Sequence, residues 1–397
     1  MAKLMNFKPY SDMNKTEPFE YQPSIRVVFG ENTCEQVGDI ARELGGRRVL
    51  LVTDPGIAAA GHAESVQATL KRSGLDCLVF EEVMENPTTK HVDEGTQYAK
   101  KNGPVDLIVG LGGGSAMDCA KGINFLLING GKMEDYWGSG KATRPMLPAI
   151  GIPTTAGTGS EAQSFALIAR EDSHEKMACG DIKARFRVVI LDPFFAASAP
   201  KAVRAIAGMD AISHAVESFV CKKRNAVSQM FAMAAWRLLL ENYEASLDDG
   251  APTDVFGKML IAAHFAGSAI ESSMLGAAHA CANPLTAHFG LTHGLAVGLM
   301  LPHVILFNSE KVNGFYDELS QFIPASADSH LSGSARLANH LTNLCRINDW
   351  SSRLRDFDIG KEDLPALAKE AAQQWTGNFN PRPVSADDCL HLYREAY

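Results

Sequence analysis

The chain is predicted to fold as an N-terminal α/β dinucleotide-binding domain followed by an all-α C-terminal domain. Three observations carry this expectation. The first half alternates short apolar runs with helix-like stretches, two of those runs lead into glycine-rich turns, and beyond Asp192-Pro193 the β-branched runs give way to Ala, Met and Leu at helical spacing. At 397 residues the chain also exceeds the size at which a single core stops growing, so two domains are expected.

Arg48 to Thr53 (RVLLVT) is a β-rich run ending in Asp-Pro-Gly, and Val105 to Leu111 (VDLIVGL) runs straight into glycines. Leu78 to Glu81 and Val188 to Leu191 are further expected strands. Strands that are apolar throughout, rather than alternating, indicate a parallel sheet covered on both faces. This places a doubly wound domain over residues 1–193. Over 194–397, Ala202, Ile206, Met209, Ile212 and Val216 recur every three or four residues, as does much of Gln229 to Leu240, which marks helices. The apolar stretch from Leu295 to Phe307 is interrupted by Pro302 and His303 and is too short for a bilayer, so a buried helix is expected there.

Composition narrows the function. A net charge of -9 argues against nucleic-acid or anionic-membrane binding, because both need a basic surface. The eight cysteines are scattered without a C-x-x-C pair, and the polar N-terminal segment through Gln22 lacks the apolar core of a signal peptide. A reduced, cytoplasmic protein is the simplest expectation.

The sequence GLGGGSAMDCAKG (Gly110 to Gly122) follows an apolar strand and opens a helix, where backbone N–H groups and the helix dipole can hold a pyrophosphate. A merely tight turn fits the same residues, and the run is not the spaced G-x-G-x-x-G of Rossmann dehydrogenases. A second loop, IPTTAGTGSE (Ile152 to Glu161), concentrates hydroxyls and exposed N–H groups suited to phosphate and ribose oxygens. Asp54 sits just after the strand RVLLVT, where it can bind ribose hydroxyls and repel a 2′-phosphate, or simply cap a helix.

In GMDAISHAVES (Gly208 to Ser218), Asp210 and His214 stand at i and i+4, on one helical face. His279 and His293 follow in GAAHACANPLTAHFGLTHG, neither in a charged context. Three histidines and a carboxylate make a divalent-metal set, although Asp210 and His214 alone read equally as an ordinary polar helix face.

These segments, together with LDP at 191–193, LPHV after the histidine run and NPRP at 380–383, resemble the iron-containing, or group III, alcohol dehydrogenases in order and spacing from about Arg26 to the C-terminus. The resemblance implies an α/β dinucleotide-binding domain and an all-α domain with the metal in the cleft between them. It implies Fe2+, or Zn2+ in some members, on Asp210, His214, His279 and His293. It implies NAD on Gly112, Gly113, Gly114 and Ser115, with Asp118, Thr154, Thr155, Thr158, the Asn86 of an ENP turn (Glu85-Asn86-Pro87) and Lys176. The implied reaction is hydride transfer between a small-molecule alcohol and its aldehyde or ketone, with a hydroxyacid-oxoacid transhydrogenase as the alternative, in a homodimer or larger homo-oligomer.

One departure stands out. Many members carry a second histidine four residues after the first histidine of the HxxxH run, where this chain has Asn283. An amide positions a water or substrate oxygen but carries no proton near neutral pH. Proton release is therefore expected through water and cofactor ribose hydroxyls, or else through His288. Pro284 is expected to perturb a helix continuing from His279.

Overall fold

The computed structural model describes residues 18–173, 175–324 and 330–397. Most of the N-terminal segment read as free of a signal sequence lies outside those residues. In chain order the α/β part comprises β1 (Arg26–Phe29), α1 (Val37–Glu43), β2 (Arg48–Val52), α2 (Pro55–Ala59), α3 (His62–Arg72), β3 (Asp76–Phe80), α4 (Thr89–Asn102), β4 (Leu107–Gly112), α5 (Gly114–Asn129), β5 (Gly138–Ser139), β6 (Ala149–Pro153), β7 (Phe165–Ala169), β8 (Lys176–Gly180) and β9 (Val188–Leu191). From Pro193 onward every described element is helical: α6 (Pro193–Ser198), α7 (Lys201–Val220), α8 (Ala226–Asn242), α9 (Thr253–Glu271), α10 (Ala277–Phe289), α11 (His293–Ser320), α12 (Gly333–Ile347), α13 (Leu364–Ala371) and α14 (Ala386–Ala396), with short 3-10 turns between.

The larger sheet is parallel throughout, in the order β1-β9-β6-β4-β2-β3. Its central strands are buried on both faces, which is why they read as unbroken apolar runs. After β2 the chain steps outward to β3 and then returns to lay β4 on the other side of β2. The winding reverses between β2 and β4, and the crevice beyond their carboxyl ends is where an open α/β sheet binds ligands. A second sheet, β5-β8-β7, was not expected from the sequence. Its two longer strands, FALIA and KMACG, hold a single β-branched residue between them, so they carry almost no strand signal. That sheet supplies one wall of the site.

In the helical part, α7 lies among α8, α9 and α11 around a core that includes Met209, Trp236, Leu301 and Leu341. Helix α11 contains the apolar stretch noted above and is long and apolar enough to cross a membrane, yet most of its apolar surface is packed inside this core. The two parts meet backbone to backbone. Gly159, in the left-handed conformation at φ 59°, touches α9 so closely that a Cβ would lie 2.6 Å from the Ala263 carbonyl.

Candidate metal and nucleotide site

Three helices deliver the expected metal ligands to one point. Asp210 and His214 come from one face of α7, His279 from the first turn of α10 and His293 from the first residue of α11. Asp210 Oδ1 lies 3.4 Å from His214 Nε2 and 3.8 Å from Nε2 of both His279 and His293. The ligand atoms of Asp210, His279 and His293 all fall within 4.8 Å of one another. Gly294 permits this: a Cβ there would collide with the Ile206 carbonyl and hold the start of α11 away from α7.

The residues present fit a divalent cation. Asp210 Oδ1 and His279 Nε2 are buried and have no hydrogen-bond partner among the described residues, a state that is rare unless another group completes it. Three imidazoles with one carboxylate are the donors that suit iron or zinc rather than calcium or magnesium. Burial favours the neutral acid at Asp210, but the surrounding imidazoles outweigh it and hold its carboxyl below the usual range. Burial likewise works against charge on His279, and there the Asp210 and Glu217 carboxylates win, raising it to about 9. His214 and His293 are shifted down, chiefly by burial. The cluster thus concentrates one proton on the imidazole closest to two carboxylates.

Glu217, three residues beyond His214 on α7, was not singled out in the sequence. Its Oε2 lies 2.5 Å from His279 Nδ1 and its Oε1 accepts from Ala278 N–H at 2.7 Å, so one carboxylate both orients a ligand and caps the start of α10. Asn380, from the NPRP segment, accepts from Ala277 N–H at 3.2 Å and exchanges amide hydrogen bonds with Asn308 of α11. It ties together the two helices that carry His279 and His293.

The nucleotide residues divide into those that face the cleft and those that build it. A cleft of about 390 Å³ is lined by Asn86, Gly114, Ser115, Asp118, Thr155, Thr158 and Lys176 among others, and it reaches Asp210, His214, His279 and His293. Gly114 and Ser115 open α5, where the first-turn N–H groups have no partner within the helix. Gly112, Gly113 and Thr154 do not line this cleft. Gly113 is the N-cap of α5, Gly112 sits at φ 144° at the end of β4, and Thr154 N–H donates to the Gly112 carbonyl at 2.9 Å. These three shape the turn. Thr158 occupies the space a Cβ on Gly114 would take, so the glycine and threonine loops interlock. Asp54 is the N-cap of α2, its Oδ1 accepting from Ile57 N–H at 2.9 Å, while Oδ2 faces Gly112 at the crevice.

Behind the cleft a buried lysine joins the two loops. Lys121 of α5 donates to Ser160 O and Ser160 Oγ, each at 2.8 Å, and to Phe165 O at 2.6 Å, with Asp118 Oδ1 at 3.4 Å. Burial pushes its ammonium down, and Asp118 opposes that shift.

A smaller cavity of about 80 Å³ adjoins the cleft and shares Lys176, His279 and His293 with it. Its walls are largely apolar, with Phe165 and Leu167 on β7 facing Met274, Leu275 and Trp375. Asn283 lines this cavity one helical turn from His279, and α10 continues with Pro284 inside it to Phe289, so the proline does not end the helix. His288 is corrected: it lies on the surface, its Nε2 2.7 Å from Glu370 Oε2, and lines neither the cleft nor the cavity. Nine residues past His279, it projects from a different face of α10.

A parallel α/β crevice joined to a buried Asp-His cluster on a helical domain is an arrangement that can hold a nucleotide beside a divalent cation. The iron-containing alcohol dehydrogenase profile matches residues 23–193, and that of the family's C-terminal part matches 204–397. Alcohol dehydrogenase 4 of Schizosaccharomyces pombe is 31% identical over 393 residues, covering 98% of this chain and 92% of that protein. An NAD-dependent methanol dehydrogenase of Bacillus methanolicus is 30% identical over 372 residues, covering 93% and 97%. The crystal structure of a 1,3-propanediol oxidoreductase superposes with a TM-score of 0.92 at 29% identity, covering 96% of this chain and all of that one. The chain belongs to the iron-containing alcohol dehydrogenase family.

Proposed function

We propose that this oxidoreductase interconverts a short alcohol and its aldehyde by hydride transfer with NAD, using iron, or alternatively zinc, on Asp210, His214, His279 and His293. One observation carries the reading: the orphaned ligand atoms of Asp210 and His279 sit where the nucleotide cleft meets the small apolar cavity. When bound, the ion supplies Lewis acidity that lowers an alcohol's pKa, and the nicotinamide supplies the hydride acceptor.

The chain's own groups do the rest. The free N–H groups opening α5 take the pyrophosphate, and Thr155, Thr158, Asn86 and Lys176 line its path. Asp54 Oδ2, at the crevice between β2 and β4, accepts from ribose hydroxyls and repels a 2′-phosphate, which favours NAD over NADP. Phe165, Leu167 and Leu275 exclude water from the reacting carbon. With Asn283 in the cavity and His288 at the surface, the alcohol proton leaves through water and cofactor hydroxyls. Eight free cysteines, seven of them buried, support a reducing, cytoplasmic setting, and the exposed β1 edge with Val27 and Phe29 supports a homodimer.

Exhaustive chelation is expected to abolish alcohol oxidation and re-addition of Fe2+ or Zn2+ to restore it, with free NADH accumulating. Full turnover in verified metal-free protein sinks the proposal, and turnover that never releases NADH points to a transhydrogenase.

A further inference from the structure

Between α11, α12 and α14 lies a separate cavity of about 240 Å³, which shares no wall residue with the nucleotide cleft or the small apolar cavity. Its floor is made by Gly298, Leu299 and Pro302 of α11 and Cys345 of α12, all buried, and its rim by Arg353 and Glu395, both exposed. Pro302 has no N–H, so the Gly298 carbonyl one turn earlier lacks the donor that a helix normally supplies. Cys345 Sγ reaches that carbonyl at 3.8 Å, and a thiol is a weak donor. Thr342 Oγ1, on the wall, gives its own hydrogen to Ala338 O at 3.0 Å and so offers only lone pairs to anything else. His303, from the LPHV segment, stands beside them; burial pushes its imidazole down while the Glu395 carboxylate opposes that shift.

The two rim charges are unspent. Arg353 and Glu395 face one cavity, yet they form no ion pair with each other or with any other described residue. A simple anion would satisfy Arg353, but it would meet the Glu395 charge and leave the Gly298 and Thr342 acceptors without a donor. A simple ammonium would take those acceptors and face the guanidinium. An uncharged molecule would engage neither end. A zwitterion answers all of them at once. A primary ammonium has three N–H donors for Glu395, the Gly298 carbonyl and Thr342 Oγ1, and a carboxylate fits the planar fork of Arg353. Leu299 and Pro302 leave apolar floor for a side chain.

We infer that this cavity binds a free amino acid with an apolar side chain, its ammonium held by Glu395, Gly298 and Thr342 and its carboxylate by Arg353. The site is independent of the function proposed above, because none of its residues reaches the metal cluster or the nucleotide loops.

The test is calorimetric titration of the full, metal-loaded chain with leucine, methionine and phenylalanine, each beside the amine and the carboxylic acid that lack one of its charged ends, such as 3-methylbutylamine and 4-methylpentanoate for leucine. At least one of the three amino acids is expected to bind saturably, and about tenfold or more tighter than either of its counterparts. Saturating NADH should change that affinity by less than about twofold, since the cavity is apart from the cleft. Arg353→Gln should weaken the amino acid by about tenfold while leaving the amine unweakened, and Glu395→Gln should do the same with the acid unweakened. Both side chains are exposed, so melting curves matching the wild type are expected, and the comparison among ligands on the wild type decides the question without either variant. Absence of saturable binding by all three amino acids, equal binding of an amino acid and one of its counterparts, displacement by NADH, or an affinity unmoved by both substitutions overturns the inference.

Discussion

Glu217→Gln keeps the volume of the side chain and removes one charge and one acceptor. In the native protein both carboxylate oxygens are used, one by Ala278 N–H at 2.7 Å and the other by His279 Nδ1 at 2.5 Å. Because a carboxylate only accepts, Nδ1 carries the hydrogen and the Nε2 lone pair is left facing Asp210 when the ring is neutral. A glutamine has a single oxygen. With that oxygen on Ala278, its NH2 group meets Nδ1 and drives the hydrogen onto Nε2, the atom a metal needs; turned the other way, the NH2 group meets the Ala278 N–H. Metal affinity is expected to fall about 10- to 100-fold, or about 1.4–2.7 kcal/mol. Competition against a chromophoric chelator measures it.

The pH dependence supplies a second readout. His279 is held at about 9 by carboxylates that outweigh its burial, so it must lose a proton before metal binds, and wild-type affinity should climb with pH up to that value. In metal-free protein the raised value contributes stability that is fully present below the ordinary histidine range and is lost as pH rises through about 9. Glu217→Gln removes one of the two carboxylates and shifts both effects to lower pH. An affinity within about twofold of wild type, with an unchanged pH dependence, would refute the reasoning that Glu217 sets the tautomer of His279.

Three further perturbations separate roles that the fold assigns. Asp54→Asn retains a side-chain acceptor for the α2 cap, so stability should change by less than about 1 kcal/mol while discrimination against NADPH relaxes; an unchanged NADH/NADPH ratio of kcat/KM removes Asp54 from the cofactor site. His288→Ala breaks only an exposed pair with Glu370 and should leave the pH–rate profile intact, and loss of a basic limb would restore His288 as a proton carrier. Lys121→Met strips four oxygens of their shared donor and leaves Asp118 buried beside them, so urea unfolding should show a loss of about 3–5 kcal/mol; a change below about 1 kcal/mol would show that water takes over the network.

The sequence was most informative where chemistry depends on near neighbours in the chain. The strand-turn-helix around Gly112 to Ser115 announces itself because the turn, the N-cap and the first helical N–H groups are consecutive. Asp210 and His214 were legible as a pair because helical periodicity puts i and i+4 on one face. His279 and His293 could be added only as further donors in an uncharged context, since nothing local says that the starts of α10 and α11 meet α7. His288 was misplaced for the same reason: nearness in the chain to His279 says little about which side of a helix a residue occupies.

What the residues alone determined, then, is the alternation of apolar strands and helices, the two phosphate-type loops and the inventory of metal donors, all of which follow from periodicity and local backbone demands. Tertiary structure alone decided which of these face the ligand. Thr154 and Gly113 support the turn while Thr155 and Gly114 line the cleft, a difference of one residue that depends on how β6 and α5 meet. It also decided that Glu217 reaches His279, that Lys121 holds Ser160, and that Asn283 pairs with Gln374, ninety-one positions away. The physical reason is that side-chain hydrogen bonds and buried charges act over a few ångströms in space, so their partners are set by the packing of distant segments rather than by their order along the chain.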